Sequence, residues 1–466
     1  MLLKFWKSPL FKQYYWSLTC NYLVFASAMC FAWVGPMTPY LLSCNHNYNI
    51  SSDGISWLVS IIELGALVAP IPSGMLADRF GRKPVLLAIP VFFLLSWFVY
   101  LWCENTVLLM IGRVLQGIGL GVTFTIVPIY IAEIAEPNIR GRLTGHIQTL
   151  WYLGILISYV ASLNLDLPYY SLLCIVVSII NIILLITIKE TPYYFLMKSQ
   201  DLKASDVMSR IRPLEKVNSD LKELKPAVED EMKRKGFIQL FKTEKDRKAL
   251  WIVLLVNAIR YLTGMPSMIN YATDTFGTSP KLPMSKETLT ILLGVLLTCV
   301  ALMSAYLSDI VGRRSLLLIS GTGCFISHFF LGLYFYIVEK DYSTLPHSLL
   351  FVGLIGFCVF SDIGLAPISQ ILQAEMFPSN TRGIGGGVAS SFASVASFVN
   401  LITYEPVTRA FGVYMNYWIY ATISLVGTVL INFSIKETAG KTLHQINLEL
   451  NSNEIVSKKN GTETKP

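Results

Sequence analysis

About twelve separate stretches of the chain are each apolar for roughly twenty residues, the length a helix needs to cross a hydrocarbon core of about 30 Å. Nothing else in the sequence limits the fold so severely. Backbone groups in lipid must bond within their own segment, so these stretches are helices, and the architecture is all-α and membrane-embedded. With 53% hydrophobic and only 14% charged residues, the chain lies far from a soluble domain, where about 25% of residues are charged. The spans fall into two sets of six, separated by a polar centre. A charged turn between spans two and three, Asp78-Arg79-Phe80-Gly81-Arg82-Lys83, returns between spans eight and nine as Asp309-Ile310-Val311-Gly312-Arg313-Arg314. Glu133 and Arg140 return as Glu375 and Arg382, and Lys189-Glu190-Thr191 as Lys436-Glu437-Thr438. A near-constant offset of about half the chain reads as an internal duplication, a construction found in transporter folds.

Lys and Arg favour the cytoplasmic side of a membrane. Placing the amino terminus there collects Lys4, Lys7, Lys12, Arg82, Lys83, Arg140, Arg142, Arg313, Arg314 and Arg382 on one face and leaves the outer loops nearly free of cations. Both termini are then cytoplasmic. The net charge of +7 follows from this topology and does not point to nucleic acid, because the cations are spread over short loops and an acid-rich linker. The reading divides the chain into a six-helix bundle over 1–189, a linker with amphipathic helices over 190–248, a second bundle over 249–438 and a polar tail over 439–466. In the linker, Leu202, Val207, Met208 and Ile211 recur at helical spacing, as expected of a helix lying against the cytoplasmic face. Asn49-Ile50-Ser51 is an acceptor sequence for glycosylation on the outer side. The eight cysteines have no metal-ligand spacing, nor do the histidines, so no metal or cofactor is expected; Cys44 and Cys103 fall at outer span ends, leaving a disulfide open.

The duplicated acids and bases at the cytoplasmic ends form matched sets: Asp78, Arg82, Lys83, Glu133, Arg140 and Glu190 in the first half, and Asp309, Arg313, Arg314, Glu375, Arg382 and Glu437 in the second. Isolated surface pairs contribute only ~0–1 kcal/mol. A duplicated set that forms and breaks together is expected instead to gate the inner mouth. Inside the spans, Arg260 lies about 15 Å deep in span seven, where a charge must face a cavity or an acid. Asp362, at similar depth in span ten, is the expected partner, and Glu63 and Arg113 form a second expected pair. Gly117, Gly119 and Gly121 of span four let another helix approach closely. Phe92, Phe93, Trp97 and Tyr100 of span three are expected against lipid or at its interface.

Together, Gly74 to Lys83, Gly112-Arg113, the stretch from Glu133 to Gly145, Asp309 to Arg314, and Glu437-Thr438-Ala439-Gly440-Lys441 resemble the sugar porter family of the major facilitator superfamily over nearly the whole chain. With its Glu190-Thr191-Pro192-Tyr193-Tyr194-Phe195-Leu196 stretch, the chain is most similar to insect facilitated trehalose transporters. The resemblance implies two six-helix bundles rocking about a central solute site, with no catalytic residue. It also implies that Gln148 keeps the family's span-five glutamine. Span seven reads Arg260-Tyr261-Leu262-Thr263-Gly264-Met265-Pro266 where the family reads Gln-Gln-x-Ser-Gly-x-Asn, and Gln370 stands where the family has tryptophan. The expected solute contacts are therefore Gln148, Arg260, Tyr261, Pro266 and Gln370. Tyr193 stands where relatives often carry arginine.

The function expected on these grounds is facilitated transport of a small polar solute, a hexose or trehalose, across the plasma membrane by a monomer. Span one carries no acid, unlike proton-coupled relatives. A carrier of a different polar or anionic solute, with a rewired half-site in the second bundle, and a sensor that no longer transports are the alternatives.

Overall fold

The computed structural model describes residues 8–43, 50–102, 105–233, 241, 244–279, 284–307, 312–340, 348–377 and 382–435. Asn49, Cys44, Cys103, Asp309, Glu437 and the tail lie outside them, as do the side chains of Glu375 and Arg382. Among the described residues, eleven helices are long and apolar enough to cross a membrane. The pair Ser52–Val68 and Pro70–Phe80, bent by 42°, supplies the twelfth span. The bend falls where Pro70 brings no N–H for the helix ladder.

Span one runs from Pro9 through Gly35-Pro36 to Leu41, with an interruption at Trp33. Proline is tolerated in the first turn of the second segment, where its missing N–H would be unpaired anyway. Spans three to six are Arg82–Leu101, Thr106–Ile134, Pro137–Asn164 and Leu167–Thr187. Span seven is broken into Glu244–Leu262, Met265–Asn270 and Ala272–Gly277, and span eight is Lys286–Leu307. Span nine is Arg313–Glu339. Span ten comprises Ser348–Phe360, a π-helical turn Ser361–Leu365, and Ala366–Glu375. Spans eleven and twelve are Arg382–Phe411 and Val413–Ser434.

The duplication is visible in the backbone. Gly81 and Gly312, which open spans three and nine, have φ of +108° and +89°, a region that side-chain-bearing residues rarely adopt. Gly81 lets the chain turn from Phe80 of span two into Arg82 of span three in one residue. Span four uses its glycines on two faces. Gly117 and Gly121 meet the backbone of span two at Ile62 and Ala66, while Gly112 and Gly119 make room for the rings of Tyr100 and Phe93. Phe93, Trp97 and Tyr100 are consequently buried, 0%, 1% and 1% exposed, and not at the lipid. Trp97 packs edge-on to Trp33 and Tyr170 at 6.0 and 5.5 Å.

The linker helices Asp201–Ile211 and Leu214–Lys233 dock on the first bundle. Val207, Met208 and Ile211 are buried, whereas Leu202 is 90% exposed, outside the apolar stripe. Gln13 donates to the Ile211 carbonyl at 2.7 Å, and Arg212 donates to the Ile134 carbonyl at 2.9 Å while pairing with Asp220 at 3.2 Å. Burial lowers the affinity of Arg212 for its proton, so these acceptors hold the charge in place. Arg212→Ala is expected to release the two helices and speed limited proteolysis within 200–233 by about tenfold, the equivalent of one charged hydrogen bond.

Candidate functional site

The face carrying Gln13, Arg82 and the linker helices is termed the linker face, and the opposite one the far face. At the linker face, Asp78, Arg82, Lys83, Glu133 and Glu190 of the first-half set form one cluster. Arg82, at the start of span three, donates to Glu133 of span four at 2.9 and 3.1 Å and lies 3.3 Å from Asp78 of span two. The second oxygen of Glu133 accepts from the Thr191 hydroxyl, beyond span six, at 2.5 Å. Glu190 accepts from the Lys83 backbone N–H at 2.9 Å, taking the place of an N-cap that Gly81 has no side chain to provide. The Lys83 ammonium in turn caps the end of span six, donating to the Ile186 and Ile188 carbonyls at 2.8 Å each. Tyr193 places its ring 5.4 Å from the Arg82 guanidinium, a cation–π contact on the same charge. Four spans are tied at one point. In the second half, Arg314 donates to the carbonyl and side chain of Asn432 at 3.0 Å. Arg313 opens span nine, and Arg140 is exposed on the first turn of span five.

Between the two bundles, Gln148 of span five is half-buried, and its amide nitrogen has no hydrogen-bond partner among the described residues. Across the seam, Arg260 donates to the Ser369 hydroxyl at 2.7 Å and lies 5.1 Å from the Tyr261 ring. Gln370 is half-buried beside Ser369. Gly264, with φ of +97°, breaks span seven against the ring of Tyr420, and Pro266 sits buried in the first turn after the break. The segment after the break is held by Asn400 of span eleven, which accepts from the Ser267 N–H and hydroxyl at 3.1 and 2.7 Å. Buried His328 reaches the Thr263 carbonyl at 2.8 Å.

Neither expected charge pair closes. Arg260 and Asp362 do not touch: Arg260 meets span ten at Ser369, two turns nearer the linker face, while the π turn directs Asp362 at the Tyr152 hydroxyl, 2.5 Å away. A depth count that assumes straight helices misses both the break in span seven and the extra residue in span ten. Arg113 also turns from Glu63. Its guanidinium donates to the carbonyls of Leu58, Val59 and Cys30 and lies 5.6 Å from the Trp33 ring. Glu63 instead accepts from the Ser397 hydroxyl of the other half at 2.6 Å. Tyr152 was legible in principle, because it stands one helical turn beyond Gln148 on the same face; Ser369 and Ser397 carry no comparable signal.

The family model described as "Sugar (and other) transporter" matches residues 4–450. This chain is a member of that sugar transporter family. Among its relatives, the facilitated trehalose transporter Tret1 of Bombyx mori is 28% identical over 428 residues, covering 90% of this chain and 83% of the relative. A Tret1-2 homolog of Drosophila simulans is 27% identical, covering 86% and 83%. The fold is that of the major facilitator proton:xylose symporter XylE. Its structure bound to 6-bromo-6-deoxy-D-glucose has a TM-score of 0.78 at 20% identity, covering 94% of this chain and 99% of that one. The inward-open form of XylE from E. coli scores 0.76. A membrane-spanning sugar transporter family member with two six-span bundles is therefore what the chain is.

Proposed function

We propose that the protein carries a neutral sugar, trehalose or a hexose, down its gradient by alternating access, as a monomer in the plasma membrane with the linker face toward the cytoplasm. The unpartnered amide of Gln148 at the seam carries this reading. A buried donor without an acceptor is costly, and a polyhydroxylated solute supplies the acceptor. Arg260, Tyr261, Pro266 and Gln370 frame the same region from the second half. Relatives named as trehalose transporters support the substrate class. The Arg82 cluster keeps the linker-face ends of the first bundle rigid. Together with Arg140, Glu190 and the second-half members Asp309, Arg313, Arg314, Glu375, Arg382 and Glu437, it gates the cytoplasmic mouth.

The test is uptake of labelled trehalose and glucose by cells expressing the chain, normalised to protein at the cell surface. Gln148→Ala is expected to raise KM by roughly 10–100-fold, the loss of one buried hydrogen bond, with little change in surface protein. Absence of sugar uptake from surface-exposed protein would refute the substrate. Uptake of a carboxylated solute lost in Arg260→Gln would replace it with an anion.

A further inference from the structure

Two buried acids take no part in the site described above. Glu63 is 5% exposed and Asp362 is 0% exposed, both well inside their spans, and each accepts a hydrogen bond from a neutral hydroxyl of the opposite bundle. Ser397 of span eleven donates to Glu63 of span two at 2.6 Å. Tyr152 of span five donates to Asp362 of span ten at 2.5 Å. One contact lies on the seam between spans two and eleven, the other between spans five and ten. In the first contact the amino-terminal bundle supplies the acid, and in the second it supplies the hydroxyl.

The backbone around Asp362 is built to hold this geometry. The π turn adds a residue to span ten and loosens its hydrogen-bond ladder, and serines of neighbouring spans repair it. Ser320 of span nine donates to the Phe360 carbonyl at 2.5 Å and accepts from the Leu365 N–H at 3.1 Å. Ser304 of span eight donates to the Asp362 carbonyl at 2.6 Å. A straight helix would point the carboxyl elsewhere.

The bundles also meet on the linker side of these acids, where the Ser391 hydroxyl donates to the Leu67 carbonyl at 3.0 Å, and further contacts lie toward the far face. Asp53 pairs with Arg409, Trp57 stacks near Phe398 at 6.2 Å, and the Tyr159 hydroxyl donates to the Ile269 carbonyl at 2.6 Å. The Asp53 pair is exposed and so contributes little. The two carboxyl–hydroxyl bonds are short and buried, the type whose loss is felt most. Among the described residues Asp362 has no partner on its other oxygen, so losing Tyr152 leaves the carboxyl group without a side-chain donor there. Parting the bundles at the far face must break both.

We propose that the Glu63–Ser397 and Tyr152–Asp362 hydrogen bonds are paired latches holding the far face closed. Tyr152 and Ser397 are then positioning residues that set the balance between the two open states. The proposal rests on the alternating-access reading but not on the identity of the solute. Hydrogen–deuterium exchange on the purified full chain, without sugar, tests it. Tyr152→Phe and Ser397→Ala are each expected to speed exchange about tenfold in Ala272–Gly277 and the first turn of span eight, the population shift expected when one buried hydrogen bond is lost and its acceptor left unpaired. Exchange at the linker-face ends should slow in the same variants. Asp362→Asn, whose carboxamide oxygen still accepts from Tyr152, should keep the parent pattern. The proposal is overturned if Tyr152→Phe matches the parent, if it speeds exchange at both faces alike, or if Asp362→Asn opens the far face as far as Tyr152→Phe. A chain that shows the shift yet carries no sugar would refute the substrate and leave the latches standing.

Discussion

Replacing Arg82 by leucine is expected to destabilise the first bundle by about 3–5 kcal/mol, the cost of stranding one member of a buried ion pair. The guanidinium and the Glu133 carboxylate are only 5% and 10% exposed. Leucine would leave Glu133 with the Thr191 hydroxyl alone, and the Ala77 carbonyl would lose the donor that reaches it at 3.1 Å. The cation–π contact with Tyr193 would go as well. Thermal unfolding of the detergent-solubilised protein should show a large fall in midpoint. The double variant Arg82→Leu with Glu133→Gln separates charge from packing: removing the stranded carboxylate should restore part of the loss. Equal midpoints in the single and double variants would show that the cluster acts through shape alone.

Gly117→Val should be at least as damaging, by about 3 kcal/mol or more, at the upper end of overpacking penalties. A Cβ at Gly117 would run into the Ile62 carbonyl oxygen and come within 2.9 Å of the Gly65 Cα. These are backbone atoms, which cannot swing aside as a side chain would. Spans two and four would have to part, and the Arg82 cluster joins the same two spans. Gly141→Ala is the matched control, because a Cβ there meets nothing within 4 Å. In a helix it should be neutral or stabilising by up to about 1 kcal/mol. Midpoint and monodisperse yield check both variants, and a tolerated Gly117→Val would mean the two spans are less closely packed than described.

Much of this molecule follows from local rules. Lipid permits only helices here, so apolar length alone sets the number of spans, and the repeated Gly-Arg pair marks two equivalent turns because only glycine adopts their backbone geometry readily. The glycines of span four announce a close helix contact for the same steric reason. Partner choice does not follow from such rules. Arg260 and Asp362 share a depth in the sequence, yet a break at Gly264 and one extra residue in span ten put each opposite a hydroxyl instead. Phe93, Trp97 and Tyr100 are as apolar as any lipid-facing side chain, and only the missing side chains of Gly112 and Gly119, on another span, let two of their rings turn inward. Span identity is fixed by transfer of short segments from water to lipid, which each segment's own residues decide. Pairing across the bundles depends on helix rotation and register to within a fraction of a turn, and only the packing of all twelve spans sets those.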